Sequence, residues 1–155
     1  MIKRGTLCTI LGLLLTAYNL RRDAAAGDAA ELVLERLTPD LPRQESLSQS
    51  PTGEGKEEAF VPDYVLNPEL PMPEREIDGQ SYIGVLDIPA LGMSLPIIST
   101  WSYPGLQIAP CRYSGSAYLE NLVIAGHNYH SHFASLPQLQ PGDAVTFTDM
   151  DGTVF

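Results

Sequence analysis

The feature that most constrains this chain is an uncharged run of sixteen residues near its N-terminus. The run covers residues 5–20 (GTLCTILGLLLTAYNL), with basic side chains at positions 3, 4, 21 and 22. As an α-helix rising about 1.5 Å per residue it is roughly 24 Å long, against about 30 Å for the hydrocarbon core of a bilayer. It can therefore span a membrane only if the flanking arginines extend to the interface or the bilayer thins.

Two interpretations of this segment follow. As an uncleaved signal-anchor, residues 1–22 stay in the cell membrane as a single-pass transmembrane helix, with the basic N-terminal flank inside. As a cleaved signal peptide, the small residues 24–26 (AAA) supply the cleavage pattern. Arg21 and Arg22, directly after the apolar core, favour the anchor, and Cys8 lies too early in the run for a lipoprotein signal. Either interpretation makes the C-terminal domain extracytoplasmic.

Two further segments separate this run from the rest of the chain. Residues 23–37 (DAAAGDAAELVLERL) are rich in Ala, Leu and Glu, which predicts a helical stalk. Residues 38–80 are predicted to be an acidic, Pro-rich linker. Seven of the 13 prolines and ten of the 19 acidic residues lie between positions 38 and 78, and apolar periodicity is lost. Such a composition predicts a semi-extended spacer.

Residues 81–155 have the composition of a mainly β domain, with nine of the 12 aromatic residues and only six charged ones. Apolar alternation and turn residues predict strands and one helical turn. The predicted strands are 82–89 (YIGVLDIP), 93–98 (MSLPII, with Pro96 at an edge or bulge), 122–125 (LVIA, buried) and 143–148 (DAVTFT), with the helical turn at 131–136. Asp151 and Gly152 predict a hairpin into residues 153–155. The sequence ends within that returning strand, so we expect a truncated domain.

Charge and cysteine content exclude several function classes. The chain has 19 acidic and 9 basic residues, a net charge of −10, so no nucleic-acid partner is expected. Two cysteines, Cys8 and Cys111, are too few for a disulfide scaffold or a four-thiolate zinc site.

Two groups of side chains have the composition of cation sites, and each has a simpler interpretation. The histidines at positions 127, 130 and 132 (HNYHSH) have the composition of a three-ligand metal site. On a strand-to-loop path, however, neighbouring histidines point in different directions, and we expect no metal ligands. Asp149 and Asp151 are faintly similar to a calcium loop, which a hairpin turn explains more simply.

The order of motifs in residues 81–155 resembles a known family. Its parts are YIGVLDIPALGMSLPI, then YSGSA at 113–117, NLVIAGHN at 121–128, HF at 132–133 and GD at 142–143. Together they are similar to the N-terminal half of a sortase, the cysteine transpeptidase of Gram-positive cell surfaces. The resemblance implies a partial sortase-type β-barrel that contains the early strands only.

The resemblance also implies an activity. Sortases cleave a sorting signal of the LPxTG type in a surface protein and join that protein to an amine of the cell wall or of a pilin. The family's catalytic histidine corresponds to His127, and no cofactor is required. A histidine suits this work because its charge changes near neutral pH, so it can give and take a proton. Judged from the residues alone, a structural histidine at a strand end remains the alternative.

The sequence departs from the family pattern at the two other catalytic positions. The nucleophilic Cys and the Arg of a sortase follow the histidine, but no cysteine follows His127 and no Arg or Lys follows Arg112. Cys111 precedes His127 by sixteen residues and is predicted to be a small, buried or half-buried residue of a loop at 110–113. The 155-residue chain is therefore expected to be inactive by itself. The alternative is a non-enzymatic, membrane-anchored remnant or binding module built on half of a sortase barrel.

Overall fold

A computed structural model gives the structure of the chain and describes residues 4–37 and 61–155. Helix α1 (Arg4–Leu37) is an uninterrupted helix of 34 residues, and helix α2 (Asp63–Leu66) is a single turn. Good helix formers such as Leu, Ala, Arg and Glu run through α1, which explains its continuity across the end of the apolar run. Most of the predicted linker, at positions 38–60, falls outside the described residues.

The two halves of α1 have different surroundings. Side chains in the first half are exposed, including Leu7, Leu11 and Leu14. The second half is buried at positions spaced by three or four residues, which places them on one helical face. These positions are Ala26, Ala30, Val33 and Leu37. Val33 and Leu37 join the hydrophobic core, so residues 23–37 pack against the sheet.

The transmembrane helix predicted over residues 1–22 has no support in the structure. Among the described residues, no helix is long and apolar enough to cross a membrane. The apolar run has sixteen residues, whereas an upright span needs about 20.

The C-terminal domain is built on one mixed, open β-sheet of six strands. The strands are β1 (Arg75–Ile77), β2 (Gln80–Ile88), β3 (Met93–Ile98), β4 (Cys111–Ser114), β5 (Val123–Ala125) and β6 (Thr146–Asp149). The strand order is β1-β2-β3-β4-β5. Strand β1 pairs with the first residues of β2, and β6 pairs with the residues of β2 that follow. Only β3 and β4 are parallel. The mainly β class is confirmed, while the sheet formed by the described residues is not closed into a barrel.

Several predicted strands agree closely with the observed ones. Strand β3 has the predicted bounds, and β2 and β6 overlap their predicted ranges. The hairpin after β6 is also confirmed, because Asp149 and Thr153 bond through their backbones and Phe147 bonds with Phe155 in both directions. Among the described residues Pro96 pairs only with Val85 of β2, which suits a residue that has no N–H to donate. The helical turn predicted over 131–136 is a 3₁₀ turn at Leu136–Gln138.

Three sequence predictions are corrected by the sheet. Strand β1 lies within the range given to the linker, because Asp78 and Gly79 both take positive φ and form a tight hairpin into β2. Cys111 opens strand β4 instead of lying in a loop. Strand β5 is not buried: Val123 is 48% exposed, since β5 ends the strand order and pairs only with β4.

The core consists of two hydrophobic clusters, and strand β2 contributes to both. Tyr82 and Val85 pack with the end of α1, whereas Ile83, Leu86 and Ile88 belong to the second cluster. A strand covered on both faces needs an almost continuous apolar run, which is what β2 has. Strand β2 therefore lies between the two clusters and connects them.

Candidate functional site

His127 lies in the loop that directly follows strand β5. Its side chain is half-buried, and its imidazole ring stacks on the Tyr129 ring with centroids 4.5 Å apart and an interplanar angle of 28°. The His127 carbonyl accepts a hydrogen bond from the Phe133 N–H at 3.2 Å. The strand end and this closed turn together hold the imidazole at a position that solvent can reach.

Gly126 permits this arrangement. A Cβ atom at position 126 would lie 2.7 Å from Cδ2 of the Phe133 ring, well inside van der Waals contact. The ring therefore packs directly over the backbone one residue before His127. A larger residue at position 126 would displace the ring that closes the turn.

The turn is also tied to helix α1 through Asp23. The backbone N–H groups of His130 and Ser131 donate to the Asp23 carboxylate at 3.1 and 3.0 Å, and Ser131 Oγ lies 2.7 Å from Asp23 Oδ1. Burial opposes ionisation of Asp23, but the hydrogen bonds from Ser131 and His130 outweigh it and lower the pKa of this carboxyl. Sequence reasoning missed Asp23 because more than a hundred residues separate it from the turn.

His132 is the buried histidine of the loop. Its side chain is fully enclosed, and neither ring nitrogen has a hydrogen-bond partner of good geometry among the described residues. Burial, followed by the charge of His127, lowers the pKa of His132, and the Asp23 charge opposes this more weakly. Its ring lies 5.5 Å from that of Tyr129, so Tyr129 contacts both histidines.

The three histidines do not form a metal site in this structure. Within the part of the chain that the structure describes, no group of three or more His, Cys, Asp or Glu side chains could hold a metal ion. The Tyr129 ring contacts those of both His127 and His132, and His130 points to solvent. The calcium-loop alternative at Asp149 is replaced by the hairpin, because its Oδ1 accepts the N–H groups of Asp151 and Thr153.

Cys111 is enclosed in the core. Its Sγ donates to the Ala109 carbonyl at 3.5 Å, and burial raises the pKa of the thiol. Cys111 lies opposite Ala125 in the β4–β5 pairing, two residues from His127, yet its thiol packs into the cluster that holds Tyr82. The structure therefore gives Cys111 a structural environment and not that of a nucleophile.

We expect alkylation to distinguish the two cysteines. In the folded chain, iodoacetamide should modify exposed Cys8 and react with Cys111 about 100-fold more slowly, because a buried thiol reacts only through opening of the fold. Mass spectrometry of the peptides at timed quenches measures both rates, and unfolding in urea provides the control in which they converge. Equal rates in the folded chain would contradict the enclosed position of Cys111.

Arg112, the last basic residue, has structural partners. Its Nε donates to the Ser99 carbonyl at 2.7 Å, and one terminal nitrogen lies 3.5 Å from the Glu74 carboxylate. It lines a shallow recess of about 330 Å³ with Trp101 and Tyr113, whose rings meet edge to face. These contacts link β4 to the residue that follows β3 and to the segment before β1.

Comparison with known proteins identifies the C-terminal region. Residues 86–155 match the family model of the sortase domain. No curated protein and no solved structure gives a match. The matched residues include strands β3–β6, most of the loop motifs and His127. Residues 86–155, just under half of the chain, are therefore similar to part of the sortase domain.

Proposed function

We propose that the chain carries the acid/base histidine of a sortase-type cysteine transpeptidase, and that His127 is this residue. The observation that supports the proposal most is its position at the end of β5 within the sortase match. The imidazole is half-buried and stacked on Tyr129, so it is oriented by the protein and still open to a substrate. His132 is a poorer candidate, because it is fully enclosed.

In the proposed reaction His127 donates a proton in the first step and accepts one in the second. A thiolate attacks the backbone carbonyl of an LPxTG-type sorting signal, and the amide C–N bond breaks as the thioester forms. The His127 imidazolium gives its proton to the departing amine. The neutral imidazole then takes a proton from an incoming amine of the cell wall or a pilin, which attacks the thioester, forms the new amide and releases the thiolate. An arginine would stabilise the oxyanion in both steps.

The thiol for this reaction is not supplied by Cys111. Its sulfur is enclosed, its pKa is raised, and its hydrogen bond goes to Ala109. Positions 1–155 hold only one other cysteine, Cys8 in the apolar run. The role of His127 in catalysis therefore depends on a reactive thiol that is presented to it from elsewhere, and the purified 155-residue chain is expected to leave the peptide intact.

We further propose that the domain works outside the cytoplasm at the cell membrane. The support comes from the first half of α1, where leucine side chains are exposed between basic residues. Apolar side chains of this kind favour a lipid environment, and flanking Lys and Arg side chains favour the interface.

The native protein provides the test. Washed membranes from cells that express it should join an LPxTG-type peptide to an added amine, and replacing His127 by alanine should lower the rate by about 10²–10⁴-fold. Asn128→Ala is the matched control, because that exposed neighbour should keep the rate. The intact mass of the native protein, compared with 16.9 kDa, shows whether the thiol belongs to the same polypeptide.

Two outcomes would decide against the enzyme. An unchanged rate in His127→Ala would remove the acid/base role. Membranes that yield no product, together with peptide-induced shifts of the His127 ring signals in the purified chain, would favour the non-enzymatic binding module. The enclosed thiol of Cys111 is the observation on which that second candidate rests.

A further inference from the structure

Helix α1 is hydrogen-bonded to the His127 loop through Asp23. Asp23 Oδ2 accepts the His130 N–H, and Oδ1 accepts the Ser131 N–H. The Ser131 hydroxyl lies 2.7 Å from Oδ1 and 3.0 Å from the Asp23 carbonyl oxygen. The two carboxylate oxygens and the carbonyl oxygen of Asp23 thus all accept hydrogen bonds from two consecutive residues of the loop.

These two N–H groups need an external acceptor. Within the turn, the Tyr129 carbonyl accepts the N–H groups of His132 and Ala134, both at 3.0 Å. The N–H groups of His130 and Ser131 lie between Tyr129 and His132 in the chain. Among the described residues, their hydrogen bonds go to Asp23 and not to a carbonyl of the turn. Successive N–H groups that point the same way form a site for an anion, and the Asp23 carboxylate occupies it.

Gly27, one helical turn after Asp23, lets the helix approach the loop closely. A Cβ atom at position 27 would lie 3.1 Å from the Ser131 Cβ, closer than ordinary van der Waals contact. Glycine is a poor helix former, so its presence in the middle of a long helix is explained by this close approach. Ala26 and Ala30, on either side of it, are buried.

We propose that Asp23 is a positioning residue that clamps loop 127–132 onto α1 and thereby keeps the His127 ring stacked on Tyr129. The catalytic consequence rests on the proposed function of His127, whereas the clamp itself does not. His132 follows Ser131 directly, so the clamp also keeps that ring enclosed. Release of the loop from α1 would free His127 to rotate and would expose His132.

The test uses the full chain in detergent micelles and compares Asp23→Ala with Gly27→Leu. The first variant removes the acceptor, and the second keeps the charge but separates helix from loop. Asp28→Ala is the control, because it removes an exposed carboxylate of the same helix that bonds to no described residue. NMR signals of the β6 hairpin report whether each variant is folded.

Two NMR signatures follow from release of the loop. The Cε1–H signal of His127 should lose the upfield ring-current shift caused by Tyr129 in both variants and keep it in the control. The amide protons of residues 130 and 131 should exchange at least about tenfold faster, since their acceptor is lost.

The titration of His132 separates loop release from a purely electrostatic effect. The Asp23 charge raises the pKa of His132, so losing that charge alone would lower it further. Exposure of the ring removes the desolvation penalty and raises the pKa towards its ordinary value. We therefore expect a rise in both Asp23→Ala and Gly27→Leu. A fall or no change in Asp23→Ala, with the His127 signal in place, would overturn the clamp.

The membrane assay then tests the effect on catalysis. Asp23→Ala should lower kcat by roughly tenfold with little change in KM, because a misplaced acid/base group slows proton transfer more than it weakens peptide binding. An unchanged kcat in Asp23→Ala, beside a loss in His127→Ala, would overturn the positioning role. Retained activity in His127→Ala would refute the proposed function and leave the NMR result standing, so the two failures are distinguishable.

Discussion

Replacing Gly84 by alanine is expected to destabilise the domain by about 3 kcal/mol, because the new methyl group has no space. Gly84 lies in the middle of β2, where it pairs with Ile97 of β3 and with Asp149 of β6. A Cβ atom there would overlap the backbone carbonyl oxygen of Thr148 and lie 2.6 Å from Cζ of Phe147. Backbone of a paired strand cannot move aside without breaking the ladder. The midpoint of urea unfolding measures the loss.

Gly12→Ala is the matched control for this experiment. The substitution is the same, but a Cβ at position 12 would meet no atom within 4 Å. Alanine also forms helix better than glycine, so the free energy of unfolding should stay within about 1 kcal/mol of its original value. A Gly84→Ala midpoint equal to that of the control would contradict the close packing of β6 on β2.

Replacing Asp149 by alanine is expected to have the other large effect, about 3–5 kcal/mol of lost stability. Asp149 is fully buried at the end of β6. Its Oδ1 accepts the N–H groups of Asp151 and Thr153 at 3.0 and 2.8 Å, and its Oδ2 accepts the Tyr118 hydroxyl at 3.0 Å. Alanine would leave three donors without an acceptor, two of them in the backbone of the hairpin.

Graded variants identify which donors matter. Tyr118→Phe removes one donor and one bond, so it should cost about 1 kcal/mol. Asp149→Asn keeps an oxygen for the two backbone N–H groups and should fall between Tyr118→Phe and the alanine variant. Asp151→Ala is the control, since this exposed carboxylate lies two residues away. If Asp149→Ala unfolded at the same urea concentration as Asp151→Ala, the hairpin would not depend on the buried carboxylate.

Local sequence patterns were sufficient to predict several strands of the sheet. Strands β2, β3 and β6 were predicted because each combines apolar periodicity with turn residues at its ends. The hairpin at Asp151 and Gly152 was predicted for the same reason. The Asp78 and Gly79 pair carries an equally clear turn signal, but it lies among the prolines and acidic residues assigned to the linker, so β1 was missed.

The exposure of β5 and the enclosure of Cys111 depend on neighbouring elements and could not be predicted from local sequence patterns. Residues 122–125 are as apolar as a buried strand, yet β5 is half-exposed because it ends the strand order. Cys111 was placed in a loop because its segment has too few alternating residues to predict β4. Its enclosure follows from the packing of Ala109, Leu106 and Tyr82 around it. Exposure of a strand depends on its partners, which its own residues do not encode.

For the candidate site, the sequence by itself determined that His127 follows an apolar strand within a sortase-like order of motifs, since strand, turn and motif are short-range features. Only the tertiary structure decided that Tyr129 stacks on His127, that His132 is enclosed, and that Asp23 holds the loop. The physical reason is separation along the chain. A carboxylate and two N–H groups more than a hundred residues apart meet only after α1 has packed on the sheet, and that packing is a sum of many contacts that no local pattern contains.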